Sequence, residues 1–240
     1  MIKANDIEMV KLGGMTPEER KRYEKNKIEI NKKVSSLITE ATKNAKLECC
    51  ILCHKPCSSF CNSHSIPQFA LKRIAEDGKV MLPLQDEILT IGKDIGVNKA
   101  GTFHIICRDC DSRVFQLYED PNAYNSKPAD QMLAQIALKD VLLMISKRNQ
   151  EREQYKLVGE QAEFLKDFAD EKIYWGNFDL RDYGEDLEYA RSSLDGRKSN
   201  RYYLCFYTVL DYVVPYAAQS SVTLISDFED SIVNNTCHKR

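Results

Sequence analysis

The sequence predicts an α+β protein organised around a cysteine clamp, and three observations carry that prediction. Two Cys-x-x-Cys pairs, Cys50/Cys53 and Cys107/Cys110, bracket a stretch in which short helical and extended patterns alternate. A charged helical pattern precedes the first pair, and a long helical pattern with strong apolar periodicity follows the second. Further on, residues 201–214 (RYYLCFYTVLDYVV) are rich in the aromatic and β-branched side chains of strands.

At 240 residues the chain is long enough to bury a core without staples. It begins on a polar stretch rather than an apolar leader, and no apolar run approaches the ~18–20 residues of a membrane span. A cytoplasmic protein with no membrane contact is therefore expected. Of the nine cysteines most lie between 49 and 61, and in a reducing interior such clustered cysteines read as zinc ligands rather than disulfides. The formal net charge is −2, with the acidic excess in the second half. Basic residues dominate 20–46, a bias that steers a segment toward phosphate or simply forms a solvated helix face. No P-loop, dinucleotide fingerprint, Gly-x-Ser-x-Gly or kinase motif is present.

The elements follow in order. Thr16-Pro17-Glu18-Glu19 is a helix start: Thr16 caps, Pro17 suits the first position, and the glutamates favour the positive dipole end. That charged N-terminal helix is expected to fill 1–46 as far as about Lys46. Residues 47–120 form the clamped domain. In it, 46–65 is an irregular Cys-rich loop and 67–77 a short helix stopped by Gly78. Strands are expected over 79–84, 88–91 and 101–107, and Asp111 opens a further helix with Val114, Phe115, Leu117 and Tyr118 inward. The order is knuckle, helix, strands, knuckle, helix, with the last ligands at a helix start, which is the signature of a treble clef.

The turn-rich PNAYNSKP at 121–128 marks a boundary before a C-terminal α+β domain over 125–240. There, 130–149 is a strong helix capped by Asp130, a polar helical stretch runs to about Lys172, and 179–193 is helical. Residues 201–214 and 221–226 are the strands. Tyr202 and Tyr203 beside Arg201 suit base stacking or plain packing. Cys237-His238 resembles a ligand pair or a loose end, and Asp227, Glu229 and Asp230 suit a cation or a solvated turn.

Zinc prefers four sulfur or nitrogen ligands in a tetrahedron, and each Cys-x-x-Cys turn presents two sulfurs on one side. Cys50, Cys53, Cys107 and Cys110 are the preferred set. Cys49, Cys57, Cys61, His54 and His64 compete, since Cys57 and Cys61 could displace one pair or build a second site. More than fifty residues separate Cys53 from Cys107, against roughly 15–20 in a simple ribbon, so the zinc clamps an inserted substructure. A four-thiolate zinc keeps no open position for water and is structural.

Cys-x-x-Cys, then Ser63-His64-Ser65-Ile66-Pro67 before a helix, then Cys-x-x-Cys followed at once by Asp111 resembles the HNH-type ββα-metal nucleases over about 50–119. More closely, the pattern is similar to a group of bacterial proteins whose second knuckle is followed by a Phe and a Glu, here Phe115 and Glu119. The resemblance implies His64 as general base, Asp111 as ligand for a catalytic Mg²⁺ or Mn²⁺, Asn98 as the middle Asn, and His104 as a substrate contact. It implies DNA or RNA as substrate, endonuclease hydrolysis, and a place in antiviral defence or a toxin-like system. One departure counts against catalysis: the family carries an acidic metal ligand beside the base, and here that residue is Ser63. The bland readings make His64 a buttress or zinc ligand, His104 an ordinary strand residue and Asp111 a helix cap. A second function class follows, a zinc-stabilised interaction module that cuts nothing and binds a partner protein, another copy of itself or nucleic acid.

Overall fold

The computed structural model describes residues 16–84, 91–194 and 201–220. The strand expected over 221–226, Cys237-His238, the carboxylates Asp227, Glu229 and Asp230, and most of the 88–91 strand lie outside the described residues.

Helix α1 spans Pro17–Asn44. Tyr23, Asn26, Ile30, Val34, Leu37 and Ala41 recur at three- and four-residue spacing and turn inward, with Ile30 and Ala41 buried. That stripe lays α1 along a later helix, α5. After the irregular knuckle loop come β1 (Ser63–His64), α2 (Gln68–Ile74), β2 (Lys79–Leu84), β3 (Ile91–Gly96), a 3₁₀ turn at Val97–Lys99 and β4 (Thr102–Phe103). β2 and β3 pair antiparallel with Lys79 opposite Gly96, over a small core of Leu71, Val80, Val97 and Ala100. β1 pairs antiparallel with β4, Ser63 opposite Phe103 and His64 opposite Thr102.

Helices α3 (Arg108–Val114) and α4 (Gln116–Glu119) lead through a 3₁₀ turn at Pro121–Asn125 to α5 (Asp130–Gln161), whose 32 residues give about 48 Å of rod. The chain breaks at Ala162, and α6 (Lys166–Leu194) returns along α5. Gly159 and Gly176 permit close approach of the two rods: a Cβ on Gly159 would meet that of Ala169 at 3.3 Å, and one on Gly176 would meet the Arg152 stem at 3.2 Å. The main core joins both halves of the chain. Cys50, Leu52, Phe103, Ile106, Cys110 and Phe115 pack with Leu138, Leu142 and Ile145 of α5 and with Leu187 and Ala190 of α6.

Four expectations need correction. The strand expected over 101–107 is only Thr102–Phe103, because the carbonyls of Ile105 and Ile106 accept instead from Ile51 N–H (3.1 Å) and Cys61 N–H (2.8 Å). Asp111 neither opens nor caps α3, since Cys107 occupies the N-cap position and Asp111 lies inside the helix. The helix expected over 130–149 continues to Gln161, and the polar stretch beyond it divides at Ala162. Residues 201–214 form no strand, and the described part of 125–220 is helical or irregular with no strand at all. Strand propensity needs a neighbouring strand to satisfy the backbone, and here the segment runs over helices instead. Side chains moor it there: Asp130 Oδ1 accepts from Tyr202 N–H (3.1 Å), and Tyr207 Oη donates to Tyr124 O (2.8 Å).

Candidate metal centre

The two knuckles are built by backbone geometry. His54 takes a left-handed φ of 57°, which lets His54 N–H reach Cys50 O (2.8 Å) and Cys50 N–H reach Lys55 O (3.0 Å). The turn points Cys50 and Cys53 the same way. The second pair sits at the start of α3, where Cys107 N–H donates to Cys50 Sγ at 3.3 Å and ties the knuckles together.

The sulfurs of Cys50, Cys53, Cys107 and Cys110 all lie within 4.8 Å of one another, with Cys50 and Cys110 buried. Four sulfurs about 2.3 Å from a central ion stand about 3.8 Å apart along each tetrahedral edge. Cys53 Sγ and Cys107 Sγ are 3.8 Å apart. The donor set fits zinc, and four cysteines could hold it with no position left over. Burial pushes the Cys50 thiol up, but N–H groups of Cys107, Cys53 and Leu52 outweigh it and hold the thiol at about 7. Burial, reinforced by the neighbouring sulfurs, pushes Cys110 up, as expected when one ionised thiol suppresses the next. A bound dication would remove that conflict by favouring four thiolates.

The competing ligands stand elsewhere. His54 and Cys49 are exposed, and Cys57 Sγ donates to Ser59 O (2.9 Å). Cys61 Sγ donates to Asp111 Oδ2 (3.3 Å); burial, then the adjacent carboxylate, push this thiol up to about 11.

Beside the cluster lies a polar network that sequence reasoning missed. Lys139 of α5 is fully buried; its ammonium donates to Ser63 Oγ (2.7 Å) and Asp111 Oδ1 (2.9 Å), and it forms a salt bridge with Glu119 Oε1 at 3.1 Å. Ser63 Oγ, itself buried, donates to Asp111 Oδ1 at 2.6 Å. The Phe115 ring lies with its centroid 4.1 Å from Nζ, a cation–π contact. Burial raises the Asp111 pKa, but Lys139 and the hydrogen bonds from Ser63, Lys139 and Cys61 outweigh it and hold the carboxyl below its usual range. A signal for Lys139 exists in the sequence: it shares a helix face with Gln135, Leu142 and Ser146, all of them buried.

The remaining candidates lie on the other side of β1. Adjacent strand residues point to opposite faces, so Ser63 faces Asp111 while His64 turns away, its Nε2–H donating to Val97 O at 3.0 Å. That bond leaves Nδ1 as the basic nitrogen. Asn98 is a neighbour there, its Oδ1 accepting from Gln68 Nε2 (2.7 Å) and its carbonyl from Asn62 Nδ2 (2.7 Å). His104 is exposed just beyond β4. The structure thus groups His64 with Asn98, and Asp111 with Ser63 and Lys139. No helix among the described residues is long and apolar enough to cross a membrane. No family model, curated protein or solved structure matches this chain.

Proposed function

We propose that the protein is a zinc-stabilised treble-clef module of HNH-like shape that binds nucleic acid without cutting it. The observation that carries this reading is the convergence of Ser63 and Asp111 on Lys139 Nζ. The family resemblance assigns the catalytic Mg²⁺ or Mn²⁺ to those two positions. Here an ammonium satisfies them, and Ser63 offers no charge to a second cation. A dication about 4 Å from Nζ would be repelled by roughly 8 kcal/mol at an effective dielectric of about 20. His64, the residue matching the base, faces away from Asp111.

Support for nucleic acid comes from α1, where Lys21, Arg22, Lys25, Lys27, Lys32 and Lys33 are all exposed. Phosphate binding through such a face releases counterions and weakens steeply with salt. The test is fluorescence anisotropy with labelled single- and double-stranded DNA and RNA across a salt series, beside cleavage assays in Mg²⁺ and Mn²⁺. Salt-sensitive binding with intact substrate is expected, weakened when Lys25, Lys27 and Lys32 are changed to Gln. Divalent-dependent cleavage that His64→Ala abolishes at unchanged zinc content would restore the endonuclease reading. Absence of binding at low salt would leave a protein partner as the ligand of the module.

A further inference from the structure

We infer that the outward face of α6 is a self-association surface, and that its occupant is the outward face of α1 from a second copy. This goes beyond the nucleic-acid reading and does not depend on it. Helix α6 turns Ala169, Gly176, Leu187 and Ala190 inward. Its far side therefore carries Asp167, Asp170, Glu171, Tyr174 and Phe178, which follow at three- and four-residue spacing. Tyr174, Trp175 and Phe178 form one aromatic cluster, with ring centroids between 4.9 and 5.8 Å apart. Tyr174 and Trp175 nevertheless stay 56% and 54% exposed. Rings of this kind are the anchors of interfaces.

Charge says what covers them. Asp167, Asp170 and Glu171 are exposed at the head of the cluster, and no ion pair or hydrogen bond holds them among the described residues. Carboxylates in that place repel phosphate and favour a cationic partner. The cluster already accepts one cation, since the Arg181 guanidinium lies 4.9 Å from the Phe178 centroid.

A face that matches it stands on α1. Lys21, Lys25, Ile28 and Lys32 follow at spacings of four, three and four, all exposed, with Ile28 at 75%. These three lysines are likewise unpaired among the described residues, whereas Lys27 and Lys33 on the flanks pair with Glu24 and Glu29. Both helices pack on α5 by their opposite sides, so both stripes point away from their own body. Within one chain they cannot meet. Between two chains three lysines meet three carboxylates, and Ile28 meets the aromatic cluster. Each copy carries both faces, so the contact forms twice about a two-fold axis and closes at two chains. Self-association then competes with phosphate for α1.

Sedimentation velocity of the full chain, free of nucleic acid and at low ionic strength, tests the pairing. Micromolar protein should sediment at twice the mass of one chain. It should fall to one chain as salt is raised, because salt screens exposed charges beyond about 10 Å at 0.1 M. Two charge reversals test the occupant: Lys21→Glu, Lys25→Glu and Lys32→Glu in one variant, Asp167→Lys, Asp170→Lys and Glu171→Lys in another. Each alone should sediment as one chain, with helical circular dichroism and metal per chain unchanged, since like charges then face each other in both contacts. Mixed in equal amounts they should associate again, because native face meets native face and reversed meets reversed. A protein that stays monomeric at low salt overturns the inference. So does a dimer that survives either reversal, or a pair of reversed variants that fails to associate on mixing. With no nucleic acid present, either result leaves the nucleic-acid reading to its own test.

Discussion

At Lys139 two hydrogen-bond acceptors, a salt-bridged carboxylate and an aromatic face are arranged around one buried ammonium. Removing one partner from such a network costs more than the network itself is worth, since the groups left behind remain desolvated. Lys139→Met, which keeps the stem, should lower stability by about 3 kcal/mol in a denaturant titration, near the low end of the ~3–5 kcal/mol for breaking a buried pair. The low end applies because the Asp111 and Glu119 side chains are 22% and 39% exposed and can recover water. Ser63→Ala should cost about 1–2 kcal/mol, leaving one ammonium proton unsatisfied. Neither change touches a cysteine, so metal content should hold. At this scale the sequence was an uneven guide. The cysteine quartet is legible because thiolate pairs come in a fixed turn spacing that names its own chemistry. Lys139 hides in a helix, where lysine normally faces water, and its partners Ser63 and Asp111 lie 76 and 28 positions away in the chain.

Short elements here depend on single backbone positions. Gly101 has a φ of +60°, and a Cβ built on it would stand 2.9 Å from Ser65 Oγ, while its carbonyl accepts from Ser65 N–H at 2.9 Å. Gly101→Ala meets both the left-handed penalty and a clash at the β1–β4 pairing. It should lower stability by about 2 kcal/mol, from roughly 1–2 for the conformation plus the displaced serine, measured by thermal melting. The helices were readable from apolar period and from proline and glycine punctuation, which is why α1 and the start of α5 stand close to their expected places. The end of α1 at Asn44 also falls close to the expected Lys46, but the far end of α5 was not readable, because the polar stretch after Asn149 carries no breaker and is held by α6. The strand expected over 101–107 failed for a different reason: its carbonyls were claimed by the knuckle. Local pattern cannot announce a long-range backbone partner.

Across the whole molecule one core serves both the cysteine cluster and the α5–α6 hairpin, with Cys50, Cys110 and Phe115 packed against Leu138, Leu142 and Leu187. The turn-rich segment 121–128 is therefore crossed by a continuous apolar interior. Metal release and helix melting should coincide: heating with a zinc-binding dye present should give one transition by dye signal and by circular dichroism. A strong chelator should shift that transition to lower temperature, since ligand binding to the folded state alone is folding free energy. The cluster has one more consequence. With zinc bound, Cys53 and Cys107 close the chain between them into a ring, and the exposed turn at Gly78, φ +71°, lies on it. A single protease cut at that turn would open the ring without parting the molecule: the two fragments would migrate together on a native gel and separate when the ion is withdrawn.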